Sequence, residues 1–107
     1  MNLTPTPGRI VLLVLNTSQA EEINRRRTTG SEIHHKLEAG TWPAGAQAHI
    51  GNVVQAGDTY PAIVVRCWAE NRVNLQVLLD GTDTYWATTI SESMVPNPGF
   101  WHWPPHL

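Results

Sequence analysis

The sequence predicts a mainly β domain: a small SH3-like or related barrel of about five strands, with one short helix and a long loop inserted after the first strand. Three observations carry this. Val73, Leu75, Val77 and Leu79 alternate with Asn74, Gln76 and Asp80, the period of a strand with one buried face. Thr84–Ile90 is a run of aromatic and β-branched residues that follows an Asp80-Gly81 turn signal. Arg9–Leu15 is a short, nearly all-apolar run that suits a buried strand.

The elements follow in order. Thr4-Pro5-Thr6-Pro7-Gly8 is extended and interrupts any regular element. After the first strand, Thr17–Arg27 predicts a short helix. Ser18 and Glu21 have capping-box spacing, the acidic residues lie early and three arginines lie late, in accord with the helix dipole. Ala20, Ile23 and Arg27 share one face, and Thr28-Thr29-Gly30 ends the helix. Residues 31–39 read as one or two further helical turns. Residues 40–51 are rich in Gly and Ala around Trp42-Pro43, within a loop (residues 31–58) of a length that is often functional. Tyr60–Trp68 is a strand, Ala69–Arg72 a turn, Val73–Asp80 and Thr84–Ile90 the rest of a meander. Phe100–Trp103 is a closing strand stopped by Pro104-Pro105. Curling such a sheet into a barrel removes its edges. A sheet with one helix packed on it is the second architecture.

At 107 residues there is material for a single domain with one modest core. The net charge of −2 gives no general attraction to nucleic acid or to anionic membrane, so any affinity for phosphate needs a local cluster. Cys67, the single cysteine, rules out an intrachain disulfide and reads as a small buried hydrophobe. No apolar stretch approaches the roughly 18 residues of a membrane span, and Ile10–Leu15 is too short for a signal-peptide core. A cytosolic protein is expected.

Catalytic motifs are weak. There is no Gly-rich phosphate loop, paired metal motif or nucleophile elbow. Asp58, Asp80 and Asp83 are candidate acids or bases, but Asp80 and Asp83 flank a turn, where Asp commonly bonds its own backbone. His34 and His35 are adjacent and would point about 100° apart on a helix, while His49, His102 and His106 are distant in sequence, so no metal is assigned. Binding chemistry is better represented. Asn24, Arg25, Arg26 and Arg27 could form an anion site, since guanidinium groups pair well with phosphate, or simply a solvated helix end. Lys36, His34 and His35 would add to the same basic region if the loop folds back.

Five tryptophans are unusual in 107 residues, and the aromatic strands offer a second site. Trp101 and Trp103 should share one face, with Phe100 and His102 on the other, and Tyr85 and Trp86 should lie on opposite faces. These are candidates for a stacking platform, or for an aromatic-sealed barrel end or subunit interface.

Both ends of the chain resemble small proteins encoded by tailed bacteriophages and prophages. The similarity lies in Thr4-Pro5-Thr6-Pro7-Gly8-Arg9-Ile10-Val11 and in Pro98-Gly99-Phe100-Trp101-His102-Trp103-Pro104-Pro105, with further likeness in 23–28 and 79–86. Phe100 stands where that family is expected to carry a small polar residue. The resemblance implies a phage or prophage origin, hence the cytoplasm of a bacterial host, and no settled activity. The leading expectation is a non-enzymatic, homo-oligomeric counter-defence sponge that sequesters a small (cyclic) nucleotide immune signal without a cofactor. The alternative is a protein-interaction module, either a minor virion component or an inhibitor of a host protein. Binding of long nucleic acid ranks below both, and an enzyme last.

Overall fold

The computed structural model describes residues 3–28 and 49–105. The sequence expectations for 31–48, including Lys36, His34 and His35, lie outside them, as does His106.

The fold is mainly β, as expected. β1 (Ile10–Val14), β4 (Thr59–Cys67), β5 (Val73–Leu78), β6 (Thr84–Ile90) and β7 (Trp101–His102) form one antiparallel sheet in the order β6-β5-β4-β1-β7. It is barrel-like but not closed by a continuous ladder. The chain just past β6 meets β7 through a parallel bridge between Glu92 and Trp101, and the Trp101 and Ser93 amides donate to Ser91 and Trp101 carbonyls. The Trp101 indole Nε1–H also donates to the Asn71 carbonyl at 2.9 Å, tying β7 to the 3-10 turn Ala69–Asn71 between β4 and β5.

Alternation dictates which side chains are inside. Val11, Leu13, Ala62, Val64, Val73, Leu75, Val77, Tyr85, Ala87 and Trp101 point inward from the five strands, where Ala20 and Ile23 of the helix and Val54 join them. Pro61 shows the same logic at the backbone. It has no N–H, and the β4–β5 ladder begins just beyond it, at Ala62 opposite Val77.

The helix α1 (Thr17–Arg25) differs from expectation at both ends. Its N-cap is Asn16, whose Oδ1 accepts from the Gln19 amide at 2.8 Å while the Asn16 amide donates to Gln19 Oε1 at 2.9 Å. The capping box is therefore Asn16 with Gln19, two residues before the Ser18–Glu21 pair, and the first turn holds no acidic residue. At the other end Arg26 caps the helix and Arg27 opens a two-residue strand, β2 (Arg27–Thr28). β2 pairs in parallel with β3 (His49–Ile50), so the two ends of the segment between them are held side by side.

Both long hairpins carry a bulge beside Asn74. β4 inserts Val65 between Val64 opposite Leu75 and Arg66 opposite Asn74, and β6 inserts a residue between Ala87 opposite Leu75 and Ile90 opposite Val73. Thr89 takes the strain, with φ +55, an outlier for a β-branched residue. The Asn74 side chain supports it: Oδ1 accepts from the Thr89 amide at 2.9 Å and from the Trp68 indole at 3.1 Å.

Candidate functional site

Arg27 does not face solvent. Its side chain is 1% exposed and its Nη2 lies 3.1 Å from Asp83 Oδ1, itself on a side chain 5% exposed. Nη1 donates to the Asp80 carbonyl at 3.2 Å. The guanidinium passes between Gly51 and Gly81, which bridge one another. A Cβ at either glycine would overlap it, so both positions require the absence of a side chain. The burial explains why the helix stops early: turning Arg27 into β2 delivers its charge to Asp83. The expectation that Asp80 and Asp83 bond their own backbone is corrected here. Asp83 holds Arg27, and Asp80 Oδ2 accepts from the Asn52 carboxamide at 2.7 Å.

Asn24 is likewise a structural residue. Its Nδ2 donates to the Val54 carbonyl at 2.8 Å and its Oδ1 accepts from the Val54 amide at 2.9 Å, so the side chain replaces a strand partner for Val54. Arg25 is exposed and borders a shallow hollow with Glu21 and Asn24; its Nε donates weakly to the Glu21 carbonyl at 3.4 Å. Arg26 lies over the Tyr85 ring, 5.6 Å from its centroid, and 3.9 Å from Asp83. Tyr85 is buried and its hydroxyl donates to Glu22 Oε2 at 2.9 Å. Burial first, then this carboxylate, push the phenol up to about 12.

Thus the run yields two exposed guanidinium groups. Glu21 lines the hollow with Arg25, Glu22 accepts from the Tyr85 hydroxyl whose ring lies under Arg26, and Asp83 is the one described acid within ion-pair distance, 3.1 Å from Arg27 and 3.9 Å from Arg26.

The aromatics separate as alternation predicts. Trp101 and Trp103 share a face, their rings edge-to-face with centroids 5.3 Å apart. Trp101 is fully buried with its N–H bonded, so it has no ring face to offer a ligand, and Trp103 packs partly buried on the core. This corrects the stacking expectation for Trp101. His102, half-buried on the opposite face, sits across from Leu12. Trp86 is 60% exposed while its neighbour Tyr85 is buried. The arginine corner touches β6, whereas Trp101 lies on β7 and Trp103 just beyond it, at the other edge of the sheet order. No described contact joins the two groups.

What sequence patterning missed is a surface that needs the strand register. Ile10 lies opposite Ile63, Ile63 opposite Gln76, and Gln76 opposite Trp86, one outward row across β1, β4, β5 and β6. Beside it, Leu12 faces Pro61 and His102 across neighbouring strands, and Leu78 faces Thr84. Ile10, Leu78 and Trp86 are exposed large apolar residues. Neither row contains Lys, Arg, Asp or Glu. Farther along β4, the exposed Arg66 stacks on the half-exposed Trp68 ring at 4.0 Å from its centroid, an aromatic–cation pair that spacing alone did not single out.

Among the described residues no group of three or more His, Cys, Asp or Glu could hold a metal ion. Cys67 is partly buried against the core, its thiol donating to the Trp68 carbonyl at 3.3 Å. No described helix is long and apolar enough to cross a membrane. In comparisons with known proteins, no family model, no curated protein and no solved structure matches the chain.

Proposed function

We propose that this chain is a non-enzymatic interaction protein that recognises another protein through the outer face of its sheet. The observation that carries this is the uncharged row Ile10–Ile63–Gln76–Trp86, apolar at three of its four positions and ending in a largely exposed tryptophan. Protein interfaces centre on such aromatic and aliphatic anchors and exclude charge from their core. Together with the resemblance to small tailed-phage proteins, this favours a phage-encoded protein-interaction module acting in the host cytoplasm. Cross-linking of the tagged chain in host cells, followed by purification, tests it. A defined partner held by wild type and by Arg25→Ala, and lost with Trp86→Lys, supports the proposal. Retention of that partner by Trp86→Lys refutes it.

The nucleotide sponge is the second reading. Arg26 held over Tyr85, with Arg25 exposed beside it, favours it by offering two guanidinium groups for a phosphate-bearing ligand. The acids around them weigh against it, and a second subunit would have to supply depth. Calorimetry against a panel of cyclic and linear nucleotides tests it. A Kd below about 1 μM, near −8 kcal/mol, lost with Arg26→Ala, would put this reading first.

A further inference from the structure

We propose that the occupant of the outer sheet face is a second copy of this chain, in a weak isologous dimer. The inference rests on the interaction-protein reading and names its partner.

A closed dimer presses the same patch of each copy together, so residue i meets j and j meets i. In the outward row the large aromatic is at one end and an exposed aliphatic at the other: Trp86 on β6 and Ile10 on β1, with Gln76 and Ile63 between them. A two-fold axis along the strands, between β4 and β5, lays Trp86 of each copy over Ile10 of the other. It lays Gln76 over Ile63. A tryptophan thus always meets an aliphatic side chain and never another tryptophan in the same space.

Two identical surfaces repel wherever they carry charge, and a copy has a formal net charge of −2. The two outward rows carry no ionic side chain, and Arg66, the next outward residue on β4, is turned onto the Trp68 ring at the margin of the patch. His102 is the one titratable group within these rows. The nearest acids by chain position, Asp83, Asp80 and Asp58, are committed elsewhere, to Arg27, the Asn52 carboxamide and the Gln55 amide.

Four strands about 4.8 Å apart and two rows of side chains give a patch of roughly 15 by 20 Å. That is about 300 Å² in projection and more in accessible area, below the ~800 Å² per partner of a standard stable complex. The dimer is therefore a weak, transient one. It would be monomeric when dilute and paired when locally concentrated.

Sedimentation velocity on the full chain, from about 1 μM to about 1 mM, tests this. The expected result is a sedimentation coefficient that rises with concentration from monomer toward dimer. Trp86→Lys and Ile10→Glu, each checked for an unchanged melting temperature, should each weaken self-association at least tenfold. Mixing the two variants should restore pairing, because the two-fold places the new lysine of one against the new glutamate of the other and leaves the second Trp86–Ile10 contact intact. A wild-type chain that stays monomeric at 1 mM overturns the dimer. So does a dimer that neither substitution weakens, or one that the mixture fails to restore. A monomer whose cross-linked partner is a different protein, lost with Trp86→Lys, overturns the dimer alone and leaves the interaction reading standing.

Discussion

Removing one member of the Arg27–Asp83 pair should be among the most costly single changes in this domain. The side chains are 1% and 5% exposed and meet at 3.1 Å. At an effective dielectric of about 20, two unit charges at that separation attract by about 5 kcal/mol. Desolvation offsets most of it, so the intact pair is close to neutral for stability, whereas one stranded charge costs about 3–5 kcal/mol. The two sides are not equivalent. After Arg27→Met, Asp83 still has Arg26 at 3.9 Å, so the loss should sit at the lower end. After Asp83→Leu, Arg27 keeps only the Asp80 carbonyl among its described partners, so the loss should sit at the upper end. The double variant should cost far less than the sum. Urea unfolding of wild type, both singles and the double closes this cycle. Losses below about 1 kcal/mol for both singles, or strict additivity in the double, would refute the claim that burial makes each charge depend on the other.

Other substitutions probe other parts of the account. Trp101→Ala should cost about 3–5 kcal/mol by calorimetric or urea unfolding, since it empties the largest buried side chain and leaves the Asn71 carbonyl unbonded. Asn24→Ala should cost about 1–3 kcal/mol, because the buried Val54 loses both backbone partners, and it should do so without altering any nucleotide affinity. Thr89→Gly should raise the urea midpoint slightly, by relief of about 1 kcal/mol of left-handed strain; a fall would show that the threonine side chain matters more than its φ. Tyr85 makes stability pH-dependent in alkali. Its folded phenol is raised to about 12 from an unfolded value near 10, so the folded state holds the proton longer. The stabilisation is full below pH 10 and fades as pH rises toward 12. Circular-dichroism melts across that window should show a loss that Tyr85→Phe reduces, the remainder coming from Tyr60, whose phenol burial also raises.

The β scaffold was legible because its signals are local. The alternation of 73–79 and the bounds of β6 depend on residues within one strand, and both lie where patterning placed them. The opposite faces of Tyr85 and Trp86, and the shared face of Trp101 and Trp103, follow from the same period of two. The helix ends were less legible, because Asn16 and Ser18 are both competent caps and only the rest of the fold selects between them. The arginine run misled for a long-range reason. Arg27 finds its acid at Asp83, 56 positions away, across a passage opened by two glycines, and no spacing rule anticipates that. The outer row was invisible for a related reason: Ile10, Ile63, Gln76 and Trp86 become neighbours only once the register, including both bulges, is fixed.

The central claim is that the outer face of the sheet pairs with the same face of a second copy of this chain. Amide and indole NMR spectra of the isotope-labelled protein, recorded as its own concentration rises, test that most directly. The account predicts progressive shifts at Ile10, Ile63, Gln76 and the Trp86 indole, with Asn24, Arg25 and Arg26 unmoved. Spectra that do not change with concentration, or changes confined to the end of the helix, would contradict it.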